Sequence, residues 1–151
     1  MVLAPSPQIT ESEARVLAAQ HGNLAAYAKA VHNWELEPYQ LAWELALENK
    51  DRVVIVCPPD TYKSTTVQLF VERAIGRDHN RRILWLMNAG AQSEKRVMAV
   101  QQTIESNGIY KAAFGVRPDY DAQWTKTSLY VKRDLQSVPD PTLMGVGLDG
   151  P

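Results

Sequence analysis

A lysine followed by two hydroxyl side chains, Lys63-Ser64-Thr65, stands one short loop after an apolar run at 53–57. Residues of these types in this order can hold phosphate. Backbone N–H groups at a helix N-terminus cradle the anion, the lysine reaches the β- and γ-phosphates, and the hydroxyl binds Mg²⁺. In the pattern G-x-x-x-x-G-K-[ST], Lys63 and Ser64 fill the last two positions, while Cys57 and Tyr62 replace the two glycines. The spacing predicts a nucleotide-binding loop built without glycine.

Two side chains of the loop weigh against phosphate binding. Tyr62 carries a Cβ that opposes the positive φ a glycine would supply, and Asp60 places a negative charge where a triphosphate would lie. The competing interpretation is an ordinary strand–loop–helix turn, with Lys63 in the first helical turn and Ser64 exposed. Both interpretations put a strand before the loop and a helix after it.

A glutamine upstream of the loop is a candidate adenine reader. Gln40 lies on a predicted helix that leads into the apolar run at 53–57. A glutamine amide donates and accepts at once, which matches the N6 and N7 edge of adenine. The alternative is a solvated side chain on a helix surface.

Capping signals predict three short helices before the apolar run. Thr10 with Glu13 forms a capping-box pattern, Asn23 can cap a second helix, and Pro38 suits a first helical turn. Residues 1–9 are rich in proline and serine and are expected to fray. The amino-terminal third is therefore predicted to be helical.

Strands and helices alternate in the rest of the chain. Strands are predicted over 53–57, 81–88 and 128–133, and helices over 63–77 and 91–108. Because parallel neighbouring strands need helical crossovers, this order predicts an α/β sandwich with a parallel sheet. The tail at 138–151 is predicted to be rich in turns, with one short apolar stretch.

Composition and charge narrow the class of protein. The chain has 151 residues, of which 45% are apolar and 22% charged, as in one soluble globular domain. With a net charge of −1, any contact with nucleic acid must come from a local basic patch. The single cysteine, Cys57, excludes an internal disulfide, and no apolar run approaches the roughly 20 residues that span a bilayer.

Four segments together resemble the amino-terminal ATPase domain of large terminase subunits, the DNA-packaging motors of tailed phages. The segments are WELEPYQ, VVIVCPPDTYKSTT, RILWLMNAGAQSEKRVMAVQQTIESN and VKRDLQSVPDPTLMGVGLDGP, and the resemblance covers about residues 31–151. It implies a RecA-like P-loop NTPase sandwich. It also implies a partial ATPase domain at 34–151, preceded by a helical lead-in at 1–33.

The resemblance implies ATP and Mg²⁺ as cofactors and gives the loop residues their roles. Lys63 matches the phosphate-binding lysine, Ser64 the hydroxyl on the Mg²⁺ side, and Gln40 the adenine reader. The implied nucleotide-binding residues are Gln40, Pro59, Asp60, Thr61, Tyr62, Lys63, Ser64 and Thr65. The sequence departs from the family at position 60, where arginine is common, and at position 62, where glycine or another small residue is common.

The resemblance also implies partners and a place of action. The chain would work in the host cytoplasm on double-stranded DNA, with the small terminase subunit and the portal as partners, in a homo-oligomeric ring. The family's Walker B strand and nuclease carboxylates are not found in the sequence. We therefore expect a longer parent protein, and no ATP turnover by this chain alone. The alternatives are another RecA-like ATPase or helicase, and a non-enzymatic α/β module whose loop no longer binds nucleotide.

Arginines outside the loop are further candidates. Arg133, at the end of a predicted strand, is a candidate arginine finger directed at the phosphates or at a neighbouring subunit, the alternative being a solvated side chain. Four others could form a basic rim for DNA phosphates, or a solvated surface. These are Arg77, Arg81, Arg82 and Arg96.

Overall fold

The computed structural model describes residues 9–135 and 139–149, which form a mixed α/β fold. The helices are α1 (Glu11–His21), α2 (Leu24–His32), α3 (Pro38–Asn49), α4 (Lys63–Arg77), α5 (Gly90–Ser106) and α6 (Gly108–Phe114). The strands are β1 (Ile83–Met87), β2 (Ser128–Leu129) and β3 (Leu143–Gly147). None of the helices in the described part of the chain is long and apolar enough to cross a membrane.

The three amino-terminal helices are confirmed, with the caps that the sequence predicts. Thr10 Oγ1 accepts from the backbone N–H of Glu13 at 3.2 Å, and the Glu13 carboxylate accepts from the N–H of Thr10 at 2.7 Å. Asn23 Oδ1 accepts from the N–H of Ala26 at 2.9 Å at the start of α2, and Pro38 is the first residue of α3. The capping hydrogen bonds satisfy N–H groups that have no partner within their helix.

The sheet has the strand order β1-β3-β2 and is mixed, so the prediction of a parallel sheet is wrong at β2. Strand β1 pairs in parallel with β3, with Ile83 opposite Leu143 and Met87 opposite Gly147, whereas β2 is antiparallel to β3. Strand β2 has two residues, where the sequence predicts a strand over 128–133. The RecA-like sandwich remains a prediction, while the mixed α/β class is established.

The apolar run at 53–57 does not form the predicted hydrogen-bonded strand. Its side chains alternate in exposure as in an extended chain, with Val54 and Val56 exposed by 88% and 91%, and Val53, Ile55 and Cys57 half-buried. None of the described strands pairs with it, and β3 is already paired on both edges. A β-strand forms only where its backbone N–H and C=O groups bond to a neighbouring strand. The run has no such neighbour among the described strands, so it leads into the loop as an extended, unpaired segment.

The central strand β3 lies in the tail, where the sequence predicts turns. Its glycines allow a close approach to α5. A Cβ on Gly147 would lie 2.3 Å from the backbone nitrogen of Gly90, and a Cβ on Gly145 would lie 2.8 Å from Val97 Cγ2. Glycine is depleted in strands, and β3 has two glycines among its five residues, so the sequence pattern does not indicate a strand there.

One apolar core joins the helices to one face of the sheet. It includes Leu24 of α2, Leu69 and Ile75 of α4, Val100 of α5 and Leu143 of β3. The lead-in helices α1 and α2 pack into the same core as α4, α5 and the sheet. The boundary predicted between residues 33 and 34 stays a prediction.

The opposite face of the sheet is exposed. Leu84 and Leu86 of β1, and Met144 of β3 beside them in the parallel register, lie on the surface of the chain. Strand β1 is therefore covered on one face only, although its five consecutive apolar residues are typical of a strand buried on both faces.

Candidate functional site: the loop before α4

The loop at 58–62 has the left-handed backbone that glycine usually supplies. Asp60 has a φ of +61° and Tyr62 a φ of +55°. Aspartate visits this region several times more often than most residues, but a tyrosine there costs about 1–2 kcal/mol. The Cβ of Tyr62 therefore strains this backbone without preventing it.

Packing and hydrogen bonding hold the strained loop. The Tyr62 ring lies edge-on against Trp34, with 5.6 Å between ring centroids and planes at 79°. Such an aromatic pair contributes about 0.5–1.5 kcal/mol beyond its burial. The Thr61 hydroxyl lies 2.9 Å from the carbonyl oxygen of Pro58 and 3.1 Å from Cys57 Sγ, and closes the turn.

Helix α4 begins with no side-chain cap. Tyr62, at the capping position, makes no side-chain hydrogen bond to the helix, and the first helical bond runs from the N–H of Thr66 to the Tyr62 carbonyl at 2.9 Å. The N–H groups of Lys63, Ser64 and Thr65 thus have no acceptor within the helix. Together with the positive end of the helix dipole, they favour a bound anion.

A cavity of about 480 Å³ lies at this helix start, lined by residues 58–65 and Arg96. The predicted nucleotide-binding positions from Pro59 to Thr65 thus share one cavity, of a size usual for small-molecule sites. The side chains of Lys63, Ser64 and Thr65 make no hydrogen bond or ion pair with the described residues, so they are available to a ligand. Of the residues at 9–135 and 139–149, Asp60 contributes the single carboxylate in the lining.

The lining suits a magnesium ion that arrives with its phosphates. Among residues 9–135 and 139–149, no three His, Cys, Asp or Glu side chains are grouped to hold a metal by themselves. Mg²⁺ commonly keeps several waters and takes few protein ligands beside substrate phosphates. The hydroxyl of the half-buried Ser64 suits the place of such a protein ligand.

Gln40 lies against the first turn of α4, but both ends of its amide are occupied. The side chain is 1% exposed. Its Oε1 accepts from the N–H of Glu37 at 2.8 Å, as in a capping box, and its Nε2 donates to Thr66 Oγ1 at 2.6 Å. Reading adenine would require one of these bonds to break. The role of Gln40 as an adenine reader stays a prediction. In the structure, its side chain links α3 to α4 through the hydrogen bond to Thr66.

Arg133 does not line the loop cavity. It lines another cavity, of about 530 Å³, together with Asp119 and Tyr130. Its Nη2 donates to Thr142 Oγ1 at 3.0 Å, and its guanidinium lies 5.9 Å from the centroid of the Tyr130 ring. An arginine finger directed at a neighbouring subunit stays a prediction.

Three of the four arginines predicted as a DNA rim have acidic partners within the chain. Arg77, Arg81 and Arg82 lie 3.7, 3.9 and 2.9 Å from Glu48, Asp78 and Asp140, respectively. Each of the three remains partly solvated, so contact with DNA stays a prediction. The fourth, Arg96, lines the loop cavity instead.

Sequence reasoning missed Arg96 as a cavity residue. It stands on α5, which follows β1, whereas the loop precedes α4. One signal could have indicated it: Arg96 lies in the second turn of α5, the helix that follows β1. The starts of two helices can pack together and line one cavity. The sequence alone did not show that α4 and α5 meet there.

A buried polar network lies behind Arg96. Arg96 Nη1 donates to Gln68 Oε1 at 3.1 Å, and Gln68 Nε2 donates to the fully buried Glu72 carboxylate at 3.0 Å. The other Glu72 partners are Tyr27 Oη at 3.0 Å, Thr103 Oγ1 at 3.1 Å and His32 Nε2 at 2.7 Å. Burial first, and then the charge of Glu72, raise the pKa of the Tyr27 and Tyr110 hydroxyls well above their usual value. Both tyrosines therefore stay protonated.

Comparison of the chain with protein-family models, with curated proteins and with solved structures finds no match.

Proposed function

We propose that this chain binds the phosphates of a magnesium nucleotide in the loop before α4, as the ATP-binding portion of a DNA-packaging motor of the terminase type. The observation that supports the proposal is the uncapped start of α4. There the side chains of Lys63, Ser64 and Thr65 line one cavity and make no hydrogen bond or ion pair with the described residues. A lysine, two hydroxyls and three backbone N–H groups are the donors that a polyphosphate needs.

Each group has a distinct part in this proposal. The backbone N–H groups of the first turn of α4 hold one phosphate, and the Lys63 ammonium neutralises the β- and γ-phosphate oxygens. The Ser64 hydroxyl would hold Mg²⁺, which bridges and neutralises the phosphate oxygens when bound. Asp60 opposes the ligand by its charge, so we expect modest affinity.

The wider assignment rests on the four sequence segments that resemble terminases. It brings with it double-stranded DNA, the small terminase subunit and the portal as partners, and a homo-oligomeric ring. We propose that the chain by itself binds nucleotide without useful turnover, because the described part of the chain brings no carboxylate besides Asp60 to the cavity to orient an attacking water. The parent protein would supply that part.

Calorimetric titration of the purified chain with Mg²⁺ and a non-hydrolysable ATP analogue tests the proposal. Wild type should bind, and Lys63→Ala should weaken binding by about 10- to 100-fold, as expected for the loss of a hydrogen bond to a charged group. The matched control is Lys50→Ala, an exposed lysine outside the cavity lining, which should leave affinity unchanged.

No binding by wild type would favour the non-enzymatic α/β module. Equal binding by wild type and Lys63→Ala would move the nucleotide to another site and leave the loop an ordinary turn. In the parent protein, Lys63→Ala should abolish ATP hydrolysis, and stimulation of that hydrolysis by double-stranded DNA would distinguish a packaging motor from a helicase that acts on single strands.

A further inference from the structure

Among the described residues, Arg96 is the one that lines the loop cavity from outside the loop and the start of α4. We infer that it is a second phosphate-binding cation, and that it makes the cavity selective for nucleoside di- and triphosphates over monophosphates. The inference rests on the proposed function, since it names the substrate class of the same site. It adds a residue that neither the loop pattern nor the predicted adenine reader supplies.

The first support is the uncompensated charge of Arg96. Arg96 is a half-buried residue that lines the cavity, and its contact among the described residues is a neutral one, the hydrogen bond to Gln68 Oε1. The buried Arg73, by contrast, contacts Glu44 at 2.9 Å and Glu48 at 2.7 Å. An arginine that makes no ion pair with the described residues, and that has donors unused, gains strongly from a bidentate anion.

The second support is the way Arg96 is positioned. Gln68 donates through Nε2 to Glu72, which orients the amide so that its Oε1 faces Arg96. Glu72 is fully buried and held by other hydrogen bonds, so Gln68 has little freedom to turn. A cation fixed before the ligand arrives loses less rotamer entropy on binding.

The third support is the distribution of charge around the cavity. The described residues of the lining include two cations, Lys63 and Arg96, on two different helices, against one carboxylate, Asp60. The helix start and Lys63 suffice for a single phosphate group. A second cation from α5 suits a ligand whose negative charge extends over two or three linked phosphates.

Calorimetric titrations with AMP, Mg²⁺-ADP and a non-hydrolysable Mg²⁺-ATP analogue test this inference. Arg96→Ala should weaken binding of the triphosphate analogue by about 10- to 100-fold and leave AMP affinity within about 2-fold. Arg96→Lys, which keeps the charge but loses the fork, should fall between wild type and Arg96→Ala. Lys95→Ala, an exposed neighbour on the same helix, is the matched control and should bind like wild type.

A variant of the positioning residue gives an independent readout. Gln68→Leu should weaken triphosphate binding by about 3- to 10-fold with AMP unchanged, a change of selectivity that a general loss of stability would not produce. Circular dichroism and thermal melting establish that each variant folds. Arg96→Lys keeps the inference testable if Arg96→Ala does not fold.

The outcomes separate the inference from the function on which it rests. If Lys63→Ala loses the triphosphate while Arg96→Ala and Arg96→Lys bind it like wild type, the loop site stands and the role of Arg96 is wrong. If Arg96→Ala weakens AMP and triphosphate equally, Arg96 does not select for phosphate number. If wild type binds none of the three nucleotides, both proposals fall together.

Discussion

The strained backbone at Tyr62 can be measured with two substitutions. Tyr62→Ala and Tyr62→Gly both remove the ring, and so both lose the same contact with Trp34. The alanine variant keeps a Cβ on a residue whose φ is +55°, whereas the glycine variant does not. The difference between their free energies of unfolding therefore reports the cost of a Cβ in the left-handed region, less the extra freedom that glycine has in the unfolded chain.

The expected difference follows from two opposing effects. A Cβ in this conformation costs about 1–2 kcal/mol. The greater freedom of glycine in the unfolded chain offsets about 0.5–1 kcal/mol of that. Tyr62→Gly should therefore be more stable than Tyr62→Ala by about 0.5–1 kcal/mol.

Urea denaturation followed by circular dichroism gives the free energies of unfolding. The matched control is the same pair at Gln102, an exposed position within α5. There Gln102→Ala should be more stable than Gln102→Gly by about 1 kcal/mol, the usual helical preference. The sign should thus reverse between the two sites. If alanine is equal to or better than glycine at position 62, the loop does not have the left-handed backbone, and the cavity as described loses its basis.

Four further outcomes are expected. Asp60→Asn, which keeps a side chain tolerant of positive φ, should tighten triphosphate binding by about 2- to 5-fold at low salt, and the gain should shrink as salt rises. Gly147→Ala should lower the free energy of unfolding by about 1–3 kcal/mol in urea denaturation, because its Cβ would meet the backbone of Gly90. Glu72→Gln should lower it by about 2–3 kcal/mol in the same assay, since an amide presents N–H groups to buried donors. Because the folded pKa of Tyr27 lies above its unfolded value near 10.0, stability should fall as pH rises above about 10, and Tyr27→Phe should reduce that fall.

Matched substitutions separate these effects from general ones. Gly90→Ala, where an added Cβ meets nothing within 4 Å, and the exposed Glu105→Gln should each change stability by less than about 0.5 kcal/mol. Asp78→Asn, outside the cavity lining, should leave nucleotide affinity unchanged at every salt concentration. The exposed Tyr39→Phe should leave the alkaline fall intact.

The parts of the fold that depend on local chemistry could be predicted from the sequence. The caps at Thr10 and Asn23, and the start of α3 at Pro38, follow from hydrogen bonds within a few residues, and the structure has all three. The strands depend on partners far away in the chain. The run at 53–57 has the composition of a strand but pairs with no strand among the described residues. By contrast, β3 contains two glycines, which disfavour a strand, yet it pairs with both β1 and β2.

In the candidate site, too, the local part could be predicted from the sequence and the part that depends on tertiary packing could not. Residues 59–65 are contiguous, so the loop pattern alone predicted that they would share a cavity. The bond from Gln40 to Thr66, and the arrival of Arg96 through Gln68, depend on how α3 and α5 pack against α4. No local pattern in the sequence contains that packing.

The most direct test of the central claim is the response of the loop amides to nucleotide. In ¹⁵N-labelled protein, titration with Mg²⁺ and a non-hydrolysable ATP analogue should shift the backbone amide signals of Lys63, Ser64 and Thr65 most strongly, since their N–H groups would meet the phosphates. Amides near Arg133, which lines a different cavity, should shift little. Unshifted signals at residues 63–65 in the presence of saturating nucleotide would contradict the claim that this loop holds phosphate.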